Sequence, residues 1–126
     1  MTRLPESLRT VPRVDAAQWE RLGAATRWAI AARAAVLPMT LLSGIAGGLL
    51  ALAHPDFDPS LWAIAMLGLL AAHATNNLLN DYIDSARGVD RGDYERTRYA
   101  THVLQDGLLG RAAMRRYIAL TAVVAL

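Results

Sequence analysis

Residues 61–90 read LWAIAMLGLLAAHATNNLLNDYIDSARGVD. The first half has the composition of a membrane-spanning helix. The second half brings in three Asn and three Asp before the stretch ends. Polar and ionisable groups in or beside a bilayer are costly, and they usually mark a cavity, a relay or a binding site. The fold and the function both turn on how this change in character is read.

The rest of the chain agrees with a membrane reading. Its 126 residues are 54% hydrophobic, with a mean hydropathy of +0.23 and a single Phe. Scarce aromatics and plentiful Ala, Leu and Gly suit helices that pack closely in lipid. The length leaves room for about three spans of roughly 20 residues each. The absence of Cys excludes a disulfide framework and a thiolate metal site. No short apolar segment with a small-residue cleavage site opens the chain, so a cleavable signal peptide is not expected.

Residues 34–53, AAVLPMTLLSGIAGGLLALA, run for 20 residues without a charge and form the expected first span. Pro38, Gly44, Gly47 and Gly48 are tolerated in a membrane helix and allow a neighbour to approach. HPDFDPS (54–60) is a turn. The expected second span is 61–80, opened by Trp62 at the interface. A polar segment covers 81–116, and YIALTAVVAL (117–126) begins a third apolar run. Residues 1–26 read as a polar tail. A helix over 15–33 is expected to lie along the interface, anchored by Trp19 or Trp28. The two Trp are nine residues apart, so they sit about 180° apart on one ideal helix and cannot both face lipid. The fold class expected is an all-α polytopic membrane helix bundle, with two full transmembrane helices and the start of a third.

All 13 basic residues are Arg, six between Arg3 and Arg33 and seven between Arg87 and Arg116. Arg clusters can mark a nucleic-acid surface. Here they flank the apolar runs, and the connecting loop 54–60 has none. The positive-inside rule therefore puts the N-terminus and 81–116 in the cytoplasm, in an inner-membrane protein, and no nucleic acid partner is expected. Arg87 and Arg111 read as interface anchors.

If the second span continues as helix through Asp84, His73, Asn77, Asn80 and Asp84 share a sector of roughly 60°, with Asn76 and Asp81 on its flanks. Such a stripe faces a bundle interior or a water-filled cavity. Amide and carboxylate oxygens at successive turns suit Mg²⁺, which keeps waters and is completed by phosphate oxygens. RGVDRGDYERTR (87–98) adds Asp90, Asp93 and Glu95 among Arg91, Arg96 and Arg98. Guanidinium groups are suited to bidentate phosphate contacts. Together these describe a site for a lipid diphosphate. The plainer alternative is a small helical membrane protein whose polar stripe mediates assembly, and His73 by itself reads as a helix–helix hydrogen bond.

NDYIDSARGVD (80–90) resembles the first Asp-rich motif of the UbiA superfamily of intramembrane prenyltransferases. The pattern N-D-x-x-D-x-x-x-G-x-D is filled by Asn80, Asp81, Asp84, Gly88 and Asp90. Gly88 makes it most similar to the dihydroxynaphthoate (menaquinone) branch. Upstream, WAIAARAAVLPMTLLSGIAGGLLAL resembles the family's first helix, with Arg33 shortly before Leu37-Pro38. Downstream, GLLGRAAMRR resembles the entry into its third. The resemblance implies Mg²⁺-dependent transfer of a prenyl group from a prenyl diphosphate to an acceptor, often aromatic. It implies Mg²⁺-diphosphate binding by Asn80, Asp81, Asp84 and Asp90. Asn77, Arg91, Arg33 and Arg98 are taken to the substrate side. Family members carry a second Asp-rich motif, so residues 1–126 are expected to be the N-terminal part of one such domain, completed by a missing C-terminal half or by an oligomer. Asp81, Asp84 and Ala86-Arg87 also echo the CDP-alcohol phosphotransferases, with Ser85 where that motif has Gly.

Overall fold

The computed structural model describes residues 4–88 and 101–126. They form only helices and connecting turns: α1 (Leu4–Ser7), α2 (Ala16–Glu20), α3 (Ala24–Ala31), a 3₁₀ turn (Ala34–Val36), α4 (Leu37–Ala51), α5 (Pro59–Arg87) and α6 (Arg111–Ala125). The long helix α5 is the axis of the fold. α6 packs along it most extensively, and α4 packs on it as well.

Local chemistry accounts for both ends of α5. Asp58 caps it, its carboxylate accepting from the N–H groups of Ser60 and Leu61 at 2.7 and 3.1 Å. Pro59 follows at the start, where a missing N–H costs nothing. Gly88 ends the helix in a left-handed conformation (φ 67°), and its N–H bonds back to Asp84. The 29 residues between extend about 43 Å, more than the roughly 30 Å of a hydrocarbon core. The helix runs past the expected boundary at residue 80 and takes in Asn80, Asp81 and Asp84.

The two ends of α5 have different surroundings. Around Ala74 and Leu78 lies a protein core made with Val14, Trp19, Leu22, Ile30, Val103 and Met114. Around Leu61 and Ile64 the side chains are open. Met39, Leu42, Leu49, Leu50, Leu61 and Ile64 are each more than half exposed. In water, six such side chains forgo stabilisation on the order of 10 kcal/mol, comparable to the whole stability of a domain. The helical stretches Ala34–Ala51 and Pro59–Arg87 are both long and apolar enough to cross a membrane. Only 11% and 22% of their apolar windows are buried, whereas the core helix of a soluble protein would be mostly buried.

α4 and α5 approach closely because two glycines leave room. A Cβ at Gly48 would overlap the Trp62 indole, and one at Gly44 would meet the end of Met66. The Trp62 Nε1–H donates to the Gly44 carbonyl at 3.2 Å.

Several sequence expectations are corrected. The first apolar run is a 3₁₀ turn followed by α4, which ends at Ala51. Residues 15–33 do not form one interfacial helix. The chain breaks between α2 and α3, which frees the two Trp from opposite faces. Trp19 is buried in the core and Trp28 packs against it. The break is held by Arg27, which donates to the carbonyls of Trp19 and Glu20 at 3.0 and 2.8 Å and lies over the Trp19 ring. Residues 1–26 are not solely a polar tail, because Val14, Trp19 and Leu22 are core residues. The Thr101 hydroxyl ties this segment down, accepting from the Val14 N–H at 2.9 Å and donating to the Pro12 carbonyl at 2.6 Å. Within the polar segment 81–116, the helix expected through Asp84 continues to Arg87, whereas the third helix begins at Arg111 rather than at the apolar run from 117.

The glycine contacts set up a test of the α4–α5 packing. Gly48→Ala pushes a methyl into a rigid ring and should destabilise the fold by about 1–3 kcal/mol. Gly47, with open space around its Cβ position, should accept Ala with no loss, because Ala is the better helix former. Thermal unfolding of both variants in detergent provides the comparison, and equal effects would refute this packing.

Candidate functional site

The polar end of α5 presents two neighbouring faces. His73, Asn77 and Asp81, each one turn from the next, face the segment 32–40. Each has a partner there. The Thr40 hydroxyl and His73 Nδ1 are 2.5 Å apart. The Asn77 side-chain amide donates to the Ala32 carbonyl at 3.0 Å. The Arg33 guanidinium pairs with the Asp81 carboxylate at 2.5 Å. His73 therefore does link two helices, as its type and position suggested.

This line differs from the sector drawn from helical geometry, in which Asp81 was a flank. The segment 32–40 comes in from the Asp81 side, so Asp81 joins His73 and Asn77 in contact, and Asn80 and Asp84 fall beside the contact line. Asp81 is 9% exposed. Asn80 is exposed and Asp84 half-buried. Asn80 and Asp84 stand one helical turn apart, and among the described residues neither side chain has a hydrogen-bond or ion-pair partner.

Arg33 stands at the break between α3 and the 3₁₀ turn with φ 52° and ψ 48°. Among the described residues it is the only non-glycine residue with positive φ. A side chain in this left-handed region costs about 1–2 kcal/mol. Such outliers persist where their surroundings hold them, and they gather at functional sites. Here the Asn77 bond to Ala32 and the Asp81 pair hold both sides of the turn. The guanidinium is not saturated, since its buried Nε has no partner.

Asp90, Arg91 and Arg98 lie outside the described residues. Among the described residues no three His, Cys, Asp or Glu side chains gather as a metal cluster. Asn80 and Asp84 do offer two unengaged oxygen donors on adjacent turns. That set fits Mg²⁺, which binds through one or two carboxylates while keeping waters and taking phosphate oxygens. Along the middle of α5, an apolar groove of about 520 Å³ runs between helices, lined by Trp28, Leu37, Leu67, Leu70, Ala71 and Leu120 together with Thr121 and Val124.

Thr40 and the Ala32 carbonyl were not legible as partners. Thr40 sits inside an apolar run, and a carbonyl freed by a helix end leaves no residue-type signal.

No protein-family model, curated protein or solved structure matches this chain.

The two faces predict opposite responses to the same chemical change. Asn77→Asp sets an acceptor-only carboxylate against the Ala32 carbonyl and should cost about 1–3 kcal/mol. Asn80→Asp, at an exposed position without partners, should change stability by less than about 0.5 kcal/mol. Melting in detergent at neutral pH measures both. A larger loss from Asn80→Asp would show the faces to be assigned the wrong way round.

Proposed function

We propose that this chain is part of a membrane-embedded, Mg²⁺-dependent prenyltransferase that takes a prenyl group from a prenyl diphosphate to an acceptor, often an aromatic one. The observation that carries the reading is the unbroken course of α5 through Asp84. It sets Asn80 and Asp84 side by side at the end of a helix whose other half is apolar and exposed. A prenyl diphosphate has the same division, an anionic head on a hydrocarbon tail. The groove beside Trp28, Leu67 and Leu120 offers the tail an apolar course. The resemblance of residues 80–90 to the family motif supplies the reaction.

Asn80 and Asp84 are the described residues that would hold Mg²⁺, which would neutralise the diphosphate and favour its departure from the allylic carbon. Asp90, Arg91 and Arg98 take their roles from the resemblance alone. Arg33, paired with Asp81 on the same stretch of α5, adds a positive charge that would favour an arriving diphosphate over a neutral head group. Water must be kept from an allylic cation, and an exposed Asn80 shows that helices α4 to α6 do not enclose this end. Further helices, from the same chain or from another, complete the cavity in this reading. The Arg distribution supports an N-terminus in the cytoplasm.

A second reading has its own support. His73, Asn77 and Asp81 all find partners within the chain, as they would in a small membrane protein whose polar stripe serves assembly.

Binding of a labelled prenyl diphosphate to the chain in lipid nanodiscs separates the two. Mg²⁺ should strengthen binding, and Asp84→Asn should weaken the Mg²⁺-dependent part by about tenfold or more, the scale of one lost charged contact. Binding that ignores both Mg²⁺ and Asp84 would favour the assembly reading.

A further inference from the structure

We propose that Asp81 is a positioning residue: it holds the Arg33 guanidinium in reserve beside Asn80 and Asp84, and an arriving diphosphate draws that guanidinium away. The identity of the anion rests on the function proposed above. The arm itself rests on the geometry of Arg33.

Three observations point this way. First, the left-handed backbone at Arg33 aims the side chain at α5, and Asp81 receives it through one terminal nitrogen. A carboxylate and a guanidinium can pair through two parallel bonds. This pair uses one, and the buried Nε has no partner. The cation therefore keeps unused donors. Second, the Arg33 side chain is 29% exposed, so it can reach an incoming group without unpacking the core. Third, Asp81 precedes Asp84 by three positions on the same helix, so these two side chains are neighbours about 5–6 Å apart and the transfer is short.

The direction of the exchange follows from charge. A diphosphate carries more negative charge than one carboxylate and offers oxygens to several donors at once. Guanidinium groups bind such anions through paired bonds that a point cation cannot copy. Asp81 thus acts as a competitor for Arg33. This role is distinct from metal ligation, and the two predict opposite effects of removing its charge. Loss of a ligand weakens binding, whereas loss of a competitor strengthens it.

The test is a double-mutant cycle on the full chain in neutral phosphatidylcholine nanodiscs. Calorimetry measures the affinity for inorganic pyrophosphate in EDTA, so no metal enters the comparison. Asp81→Asn keeps the shape of the side chain, with Asp81→Ser as a second variant. Arg33→Asn removes the guanidinium while tolerating the left-handed turn, with Arg33→Gly as its second. Asp81→Asn should bind pyrophosphate at least about threefold tighter than the parent chain, within the range of coupled charge pairs. That gain should vanish in the Arg33→Asn background. Weaker binding by Asp81→Asn, or no binding by either chain, overturns the proposal. So does a gain that survives without Arg33, because it would report only general relief of negative charge. Geranyl diphosphate should show the same gain as pyrophosphate. A gain confined to the prenyl compound would mean that the tail releases the arm, and would also overturn it. Failure of the metal reading is seen separately, in the Mg²⁺ dependence of Asp84→Asn.

Discussion

Polar groups on a largely apolar helix have to be satisfied, and this requirement organises the molecule. His73, Asn77 and Asp81 project from α5 along one line. Left in an apolar setting without partners, each would cost free energy of several kcal/mol. The segment 32–40 meets all three with a hydroxyl, a carbonyl and a guanidinium. To do so the chain must leave α3 at Ala32, turn through a left-handed Arg33 and start α4 at Leu37. That turn sets α3 against the core around Ala74 and Leu78, and it sends α4 back along the apolar half of α5. A strained residue is tolerated at the centre because the contacts on both sides of it depend on the same turn.

The energetics divide along α5. At the polar end, burial of Trp19, Leu22, Ile30, Val103 and Met114 stabilises an ordinary protein core. Residues far apart in the chain are brought together there, as the Thr101 bonds to Pro12 and Val14 show. At the other end the chain buries little, and cohesion comes from close approach at Gly44 and Gly48. An end that packs like a protein interior and an end that exposes Leu and Ile call for different surroundings. A helix standing across the boundary between a hydrocarbon layer and water has both.

Asn80 and Asp84 stand apart from this economy of paired groups. Their neighbours on the helix are engaged, whereas these two oxygen-bearing side chains, one turn apart, have no partner among the described residues. The structural requirement that pairs His73, Asn77 and Asp81 does not reach them. This is the physical ground for looking to a cation and an anion there, with Arg33 within reach.

Much of the local structure was legible in the residues. The turn at 54–60 and the uncharged run after Arg33 mark where the apolar helices begin and end, because hydropathy and turn residues act within a few residues of the chain, whereas the Asp58 cap and the Gly88 stop came from the structure. The polar stripe was also legible as a stripe, since a helix places residues at a constant angle. Its contact line was not. Whether Asp81 or Asn80 meets the rest of the protein depends on the side from which segment 32–40 approaches, and nothing in the periodicity of α5 carries that information. The break at Leu22-Gly23, the burial of Trp19 and the anchoring of the N-terminal segment by Thr101 were likewise decided by contacts between residues distant in sequence. The left-handed Arg33 shows the division most clearly. By itself an Arg avoids that conformation, and only the partners waiting on α5 make it the favourable one.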